Sequence, residues 1–370
     1  MTRKNILILV VALALIGAAI FSLESLKPKR TAVSLIENAV THDPAHETKD
    51  YDVRAARYPL AQELVAPDGY LNTTDDFTIG SLVGKKVILV DFWTYSCINC
   101  QRTQPYLNAW YEKYKDEGLE IVGVHTPEFA FEKEKANVAS AVEKDAIAYP
   151  VVQDNGYATW DAYQNKYWPH KYLIDINGLV VYDHIGEGGY DDTEKMIQKY
   201  LAERKEVLGE SGDVSGGTAA PAPAIQAGSP ETYFGWSRNE YFANGAQRTP
   251  GVQTLTTPVA YALNKLYLAG TWDFSKEYAE NKGTDDRIIY RYNAKNVYLV
   301  ANAPDGVTVQ VLLDGTPITT GKGADVDASG MLRIQEARLY TLVEMPSAGE
   351  HVIELKVSGP GLAAFAFTFG

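Results

Sequence analysis

Strand-like and helix-like patterns alternate along residues 67–206. The run Lys86–Thr94 is apolar except for one charged residue, Asp91, which is typical of a central strand buried on both faces. Apolar residues at spacings of three and four then predict a helix, at Leu107, Trp110, Tyr111 and Tyr114. Gly118 is predicted to end that helix, as a carboxyl-terminal glycine commonly does. The alternation predicts an α/β domain.

The pattern changes beyond residue 230. Short runs of Val, Ile, Leu and Tyr are separated by turn residues, at Lys265–Gly270, Arg287–Tyr292, Val297–Ala301, Val307–Leu313, Tyr340–Glu344 and Val352–Val357. Asp314-Gly315 predicts a hairpin turn between two strands. These features predict an all-β sandwich of jelly-roll-like form over residues 231–370. Gly, Ala, Ser and Pro dominate residues 207–230, which predicts a flexible linker between the two domains.

The chain begins with an apolar segment. After Arg3 and Lys4, the run Asn5–Leu23 carries no charge, and as a helix it would span about 28 Å. We therefore expect residues 1–30 to form a single transmembrane helix that acts as a signal anchor, with a cleaved signal peptide as the alternative. Residues 31–66 are mixed and polar, so we expect a spacer between the membrane and the α/β domain.

The composition excludes several classes of function. A net charge of −13 without a long basic run argues against nucleic-acid binding. Two cysteines in 370 residues cannot make a disulfide-stapled scaffold, and they cannot complete a zinc site alone. The six histidines are too scattered to supply the missing ligands, so no metal is expected. The cysteine pair is therefore a redox device or one local bridge.

The cysteine pair lies between the predicted strand and the predicted helix. Cys97 is expected at the helix start, where unpaired N–H groups and the helix dipole stabilise a thiolate. Cys97 can then attack a disulfide, and Cys100, one turn deeper, can resolve the mixed disulfide. A static structural bridge is the alternative, although so short a loop closes little chain and adds little stability.

The residues around the pair have a recognisable spacing. In the string VDFWTYSCINC, Asp91 lies six residues and Trp93 four residues before Cys97, and Pro105 follows Cys100 by five residues. This spacing resembles the active-site strand and helix of the thioredoxin superfamily, and the region is most similar to TlpA-like and DipZ-type proteins. The resemblance implies a thioredoxin-like fold and a thiol–disulfide oxidoreductase with no cofactor besides its redox-active disulfide.

The resemblance also implies roles for residues beside the pair. Asp91 is expected to be a buried carboxyl that exchanges a proton with Cys100 when the mixed disulfide resolves. A strand-end aspartate that caps a turn is the alternative. Trp93 and Tyr95 are expected to shield the pair and to line the substrate site, although both would also suit an apolar core.

A second element is expected opposite the pair. Trp168-Pro169 precedes the strand-like run Lys171–Ile176, and a proline at the opening of a strand is tolerated because its missing N–H is not needed there. The thioredoxin family has a cis-proline at this place. The resemblance therefore implies that Pro169 is cis and that Trp168 offers its backbone to the substrate.

His125 ends another predicted strand, Leu119–Thr126. In an open parallel sheet, sites gather at the carboxyl ends of the strands, so His125 and Glu128 are expected near the pair as modulators of the thiolate. The alternative is that His125 packs and orients the loop before the predicted helix Glu132–Lys144. That helix is an insertion relative to the simplest thioredoxins and favours the TlpA-like branch.

Residues 231–370 are rich in aromatic side chains. DipZ-type proteins resemble carbohydrate-binding modules in this region, so exposed rings here could stack on sugars. Trp236 and Trp272, each close to a glycine, are the candidates for glycan binding. The alternative is that these rings fill the core of the β domain, since strands favour aromatic residues.

Together these features predict a membrane-anchored, extracytoplasmic reductase of disulfides in exported proteins. DipZ-type proteins carry a multi-helix membrane segment that conducts electrons, whereas this chain has one hydrophobic run, so a separate membrane electron donor is expected. Two alternatives stay open. One is an oxidase that donates its disulfide, because direction depends on the reduction potential. The other is a glycan- or surface-binding protein with a vestigial cysteine pair.

Overall fold

The computed structural model describes residues 38–218 and 228–370. Each of these two stretches contains a sheet of its own. The predicted membrane anchor, Asn5–Leu23, lies outside the described residues. Within the two described stretches, no helix is both long and apolar enough to cross a bilayer.

The first domain has a six-stranded sheet with helices packed on it. The strands are β1 (Gly69–Leu71), β2 (Val87–Trp93), β3 (Leu119–His125), β4 (Val151–Gln153), β5 (His170–Ile174) and β6 (Val180–Ile185). The helices are α1 (Tyr51–Ala55), α2 (Ile98–Tyr114), α3 (Lys135–Lys144), α4 (Ala158–Ala162) and α5 (Tyr190–Leu208). Short 3-10 turns lie at Pro44–His46, Gly80–Leu82, Lys115–Glu117 and Ala130–Lys133. The order is β1-β4-β3-β2-β5-β6, with β2, β3 and β4 parallel and the other neighbours antiparallel.

Strand β2 runs through the middle of this sheet, and all seven of its residues are buried. Its side chains alternate between two faces, so Leu89 packs in the cluster that contains Trp110 of α2, while Ile88 packs on the opposite face. Gly118 ends the helical segment in a left-handed conformation (φ 105°), as predicted. Because β2 leads into α2, the start of α2 lies at the carboxyl end of the parallel strands, where sites in such sheets gather.

Residues 38–66 belong to the first domain, so the predicted spacer is wrong for this stretch. Val40 and Ala61 are buried in the same apolar cluster as Ile88. Arg54 forms an ion pair with the buried Asp175, with 2.6 Å between Nη2 and Oδ2. The stretch is held by this ion pair and by isolated β-bridges rather than by a periodic apolar face, which is why the sequence pattern did not reveal it.

The β domain (residues 228–370) contains ten strands. They are β7 (Thr232–Tyr233), β8 (Gly251–Leu255), β9 (Lys265–Phe274), β10 (Ala279–Asn281), β11 (Asp286–Asn302), β12 (Val307–Leu313), β13 (Thr316–Pro317), β14 (Met331–Ile334), β15 (Arg338–Val357) and β16 (Ala363–Phe369). The order is β13-β12-β15-β11-β16-β10-β9-β8, with β14 beside β12 and β7 beside β16. The predicted sandwich is thus one continuous hydrogen-bonded sheet. Leu268 of β9 and Val309 of β12 share one apolar cluster although they lie near opposite ends of this order, so the sheet curls around a single core.

Two pairs of predicted strands are single long strands. Both predicted runs between residues 287 and 301 lie in β11, and both runs between residues 340 and 357 lie in β15. Register shifts between β11 and β15 near Ala294 allow the strands to bend without ending. The predicted hairpin is confirmed, since Asp314 and Gly315 connect β12 and β13 with positive φ angles of 50° and 84°.

The predicted linker, residues 207–230, is partly packed against the first domain. Helix α5 continues into it as far as Leu208. The carbonyl of Gly217 accepts hydrogen bonds from Lys113 and Gln198. Residues 219–227 lie outside the described part of the chain.

The two domains contact each other at the start of α2. Ile98 and Phe129 of the first domain share an apolar cluster with Leu339 and Phe365 of the β domain. The β domain therefore lies against the turn of helix that carries the cysteine pair.

Candidate active site

Cys97 and Cys100 lie at the amino end of α2. Cys97 is the residue before the helix, and its Sγ accepts a hydrogen bond from the backbone N–H of Cys100 at 3.4 Å. Cys97 is half-buried, whereas Cys100 is only 3% exposed. Both are free thiols, so the structure represents the reduced pair. An incoming disulfide can therefore meet Cys97 before Cys100.

Asp91 lies in β2 on the face that packs against α2. It is 1% exposed, and its Oδ1 has no hydrogen-bond partner among the described residues. Burial raises the pKa of this carboxyl from 3.8 to about 7, while the positive charge of Lys171 acts to lower it. The pKa of Cys100 is raised as well, first by burial, then by Cys97, and also by the charge of Asp91. A carboxyl that titrates near neutral pH beside a buried thiol is suited to exchange a proton with it.

Lys171 belongs to this site, although the sequence did not indicate it. It pairs directly with Asp91 across β5 and β2, so the two side chains project from the same face of the sheet. Lys171 is fully buried, and its Nζ donates to the carbonyl of Gly186 at 3.0 Å. Burial lowers its pKa, whereas Asp91 and Cys100 act to raise it. In the sequence, Lys171 is visible only as a charged residue at the start of an otherwise mostly apolar strand. The register between β5 and β2 is what makes Lys171 the neighbour of Asp91.

Trp93 and Tyr95 pack around the pair but offer little surface to a substrate. Both belong to the apolar cluster that contains Cys100, and they are 2% and 6% exposed. The hydroxyl of Tyr95 donates to the carbonyl of Ala337 in the β domain at 3.1 Å. This placement fits the expected shielding of the pair. Direct substrate contact by Trp93 does not fit, because the alternation along β2 turns its ring into the core.

Trp168 and Pro169 directly precede β5, whose first residue, His170, pairs with Phe92 near the end of β2, so they lie at the same edge of the sheet as the cysteine pair. The peptide bond between them is cis, as the resemblance implied. The half-buried Trp168, like Cys97, packs against the apolar cluster that includes Cys100, and its Nε1 donates to the carbonyl of Thr126 at 3.0 Å. Within residues 38–218 and 228–370, the backbone N–H and C=O of Trp168 make no hydrogen bond. These two groups can therefore pair with another chain.

His125 lies next to Trp93 in the register of the parallel strands. The ring of His125 is fully buried, meets the ring of Trp93 edge-on and stacks on the ring of Tyr95. Burial lowers its pKa to about 3, so the imidazole is neutral at physiological pH. A buried neutral ring between two aromatic rings favours the alternative in which His125 packs and orients the loop.

Glu128 faces the β domain. Its Oε1 accepts hydrogen bonds from the hydroxyl of Tyr233 at 2.8 Å and from Nη1 of Arg238 at 2.7 Å. The predicted position of Glu128 near the carboxyl end of β3 agrees with this placement, but its carboxylate is engaged in the contact between the domains.

Glu132 is a second residue that the sequence did not indicate as part of the site. It is fully buried, and its Oε1 accepts from Ser96 Oγ at 2.6 Å, while Oε2 accepts from the amides of Glu128 and Phe129 at 2.6 and 2.9 Å. Burial raises its pKa to about 7. The side chain ties the turn before Cys97 to the loop that contacts the β domain. A glutamate in the first turn of a predicted helix is usually exposed, so its sequence signal was weak.

The two tryptophans proposed for glycan binding lie in different environments. Trp272 is fully buried in the core of the β domain, and its Nε1 donates to the carbonyl of Ala269 at 2.9 Å. The prediction that Trp272 stacks on a sugar is therefore wrong, because alternation along β9 turns it inward with Phe274. Trp236 is half-buried and packs at the edge of the same core.

Two family models match the chain, and each matches one domain. Residues 62–183 match the AhpC/TSA family, and residues 229–370 match the family described as thioredoxin like C-terminal domain. Protein DipZ of Mycobacterium tuberculosis is 37% identical over 314 residues, which are 84% of this chain and 43% of DipZ. Thiol-disulfide oxidoreductase YkuV of Bacillus subtilis is 31% identical over 147 residues, which are 40% of this chain and 97% of YkuV. The chain belongs to the thioredoxin-like thiol–disulfide oxidoreductases of the TlpA/DipZ type.

A third relative is similar to a smaller share of the chain. Thiol-disulfide oxidoreductase ResA of Bacillus cereus is 32% identical over 133 residues, which are 34% of this chain and 74% of ResA. The chain spans less than half the length of DipZ.

Proposed function

We propose that this oxidoreductase reduces disulfides of exported proteins through Cys97 and Cys100. The observation that carries the proposal is the arrangement of a half-exposed Cys97, a buried Cys100 and a buried Asp91 at the start of α2. The similarity to thiol-disulfide oxidoreductases supports the exchange chemistry.

The proposed reaction has two exchange steps. In the first step, the thiolate of Cys97 attacks one sulfur of the substrate disulfide, a bond forms between the two sulfurs, and the other substrate sulfur leaves as a thiolate. In the second step, Cys100 attacks Sγ of Cys97 and releases the remaining substrate sulfur as a thiolate. The substrate has then gained two electrons, and the chain holds a disulfide between Cys97 and Cys100. No cofactor besides this disulfide takes part.

Asp91 is proposed to take the proton of Cys100 before the second step. Burial of the thiol disfavours its thiolate, so a base beside it lowers the barrier to attack. The pKa of about 7 lets the Asp91 carboxyl accept and release a proton near neutral pH. Lys171, opposite Asp91 in the sheet, favours its ionised form and so its role as a base.

Trp168 and Pro169 are proposed to align the substrate. The backbone N–H and C=O of Trp168, which have no partner among the described residues, support this role, because an extended peptide can pair with them as an added strand. A peptide bound there would lie at the edge of the sheet where β2 ends and leads to Cys97, because His170, two residues after Trp168, pairs with Phe92 of β2.

We further propose an extracytoplasmic location with an anchor in residues 1–30. The support is the uncharged run Asn5–Leu23. Each turnover leaves the chain oxidised, so it must be reduced again, and we propose a separate membrane protein as the electron donor.

An insulin-reduction assay with Cys97→Ser and Cys100→Ser tests the exchange reaction. Cys97→Ser should abolish turnover, and Cys100→Ser should accumulate a mixed disulfide that non-reducing electrophoresis detects. Undiminished turnover in both variants would falsify the proposal.

The reduction potential of the pair tests the direction. A value near about −270 mV supports a reductase, whereas one near about −120 mV would identify an oxidase that donates its disulfide. Equilibration with glutathione buffers of known ratio measures the potential.

A further inference from the structure

Ile98, the first of the two residues between the cysteines, is covered by the β domain. Ile98 is only 8% exposed, although it begins α2 at the edge of the first domain. It is buried in a cluster with Tyr298, Val300, Leu339 and Phe365 of the β domain. The surface next to Cys97 on this side is therefore closed to a substrate.

Polar contacts hold the β domain against the turn that carries Cys97. The hydroxyl of Tyr95 donates to the carbonyl of Ala337 at 3.1 Å, and Glu128 accepts from Arg238 at 2.7 Å. The backbone N–H of Ala130 donates to Oε2 of a β-domain glutamate, Glu277, at 2.9 Å. Together with the apolar cluster, these contacts restrict sliding of one domain over the other.

Glu132 connects this interface to the cysteine pair. One oxygen of its carboxyl binds Ser96, the residue before Cys97, and the other binds the amides of Glu128 and Phe129 in the interface loop. The Cys97 turn and the loop that contacts the β domain are thus tied to the same buried group. The β domain is in this way a fixed part of the surroundings of Cys97.

We infer that the β domain is one wall of the substrate groove and determines which disulfides Cys97 can reach. The inference rests on the proposed function. With the Ile98 side closed, a substrate must approach from the side of Trp168 and Pro169, where the backbone of Trp168 has no hydrogen-bond partner in the part of the chain that the structure describes. A flexible, extended segment can enter between these two sides, whereas a disulfide set in the surface of a folded protein meets the β domain first. The natural substrates are therefore disulfides on flexible segments.

Leu339→Ala in the full chain should loosen the packing of the β domain against Ile98 and so widen the access to Cys97. Leu339 is suited to this test because it packs in the interface cluster and not in the core of the β domain. We expect this variant to reduce native insulin about tenfold faster, the factor that corresponds to about 1.4 kcal/mol of barrier. Its rate on a short linear peptide with one disulfide to glutathione should stay at the wild-type value, as should the reduction potential. Leu263→Ala removes the same side-chain atoms from an exposed β-domain site and should change neither rate.

Alkylation of Cys97 provides a second measurement that needs no turnover. The rate of Cys97 alkylation is measured in a Cys100→Ser background with two reagents. Iodoacetamide reports access for a small molecule, and a maleimide attached to a folded carrier protein reports access for a bulky one. Leu339→Ala and Phe365→Ala should each raise the rate with the bulky reagent and leave the rate with iodoacetamide unchanged.

The inference would be overturned if, in both variants, the ratio of the alkylation rate with the bulky maleimide to that with iodoacetamide stayed at the wild-type value. It would also be overturned if the rates on insulin and on the peptide fell together, since the interface would then only position the Cys97 turn. If the alkylation ratios change as expected while no form of the protein reduces any disulfide, the β domain does restrict access to Cys97, but the proposed function is wrong.

Discussion

Asp91→Asn keeps the shape of the side chain and removes its charge. In the folded protein this carboxyl is 1% exposed, and one of its oxygens has no hydrogen-bond partner among the described residues. The ionised form is therefore poorly solvated. We expect the substitution to stabilise the protein at neutral pH and to slow the resolution of the mixed disulfide.

The pH dependence follows from the raised pKa of Asp91, which moves from 3.8 to about 7 on folding. Below about pH 4 the carboxyl is protonated in both the folded and the unfolded state, so it has no effect on stability. Between about pH 4 and pH 7 the unfolded state loses the proton first, and the wild type loses stability as the pH rises. Since each tenfold change in an ionisation constant is 1.36 kcal/mol, the loss reaches about 4 kcal/mol.

Urea unfolding of the reduced proteins from pH 4 to pH 8 measures this difference. The stability of Asp91→Asn minus that of the wild type should rise by about 4 kcal/mol over this range. Other buried carboxyls with a raised pKa, such as Asp154, are present in both proteins and cancel in the difference. Asp75→Asn, at an exposed position, is the matched control and should follow the wild-type curve.

The same variant tests the proposed role of Asp91 in catalysis. Loss of a general base should slow the attack of Cys100 by about a hundredfold, as stopped-flow measurement of mixed-disulfide decay would show. Parallel stability curves for Asp91→Asn and the wild type between pH 4 and pH 8 would refute the assignment of Asp91 as a buried, ionisable group. Unchanged decay would refute its role as the base.

Three further predictions concern other buried groups. Lys171→Met removes the charge that lowers the pKa of Asp91, so the loss of stability with rising pH should extend to higher pH, measured by repeating the urea series. Arg54→Met leaves Asp175 buried without its cation and should cost about 3–5 kcal/mol of unfolding free energy; an unchanged urea midpoint would contradict the assignment of this stretch to the domain. Trp272→Ala should destabilise the β domain by about 3–5 kcal/mol in thermal unfolding while a glycan array shows no specific loss of binding.

Local pattern predicted the parts of the fold that depend on neighbours in the chain. The buried strand β2, the helix that follows it and the hairpin at Asp314-Gly315 each have a signal within about twenty residues. The cysteine pair was also predictable, because its position at a helix start follows from that strand and helix. The segment 38–66 was not, because ion pairs and isolated bridges leave no periodic pattern.

The sequence by itself determined the chemistry that this protein can perform, since Cys97, Cys100 and Asp91 lie in one strand–turn–helix unit. Tertiary structure alone decided that Lys171 neighbours Asp91, that Glu132 ties the Cys97 turn to the interface, and that the β domain covers Ile98. Each of these contacts joins residues far apart in the chain. They depend on sheet register and domain packing, which the alternation of polar and apolar residues along one segment does not specify.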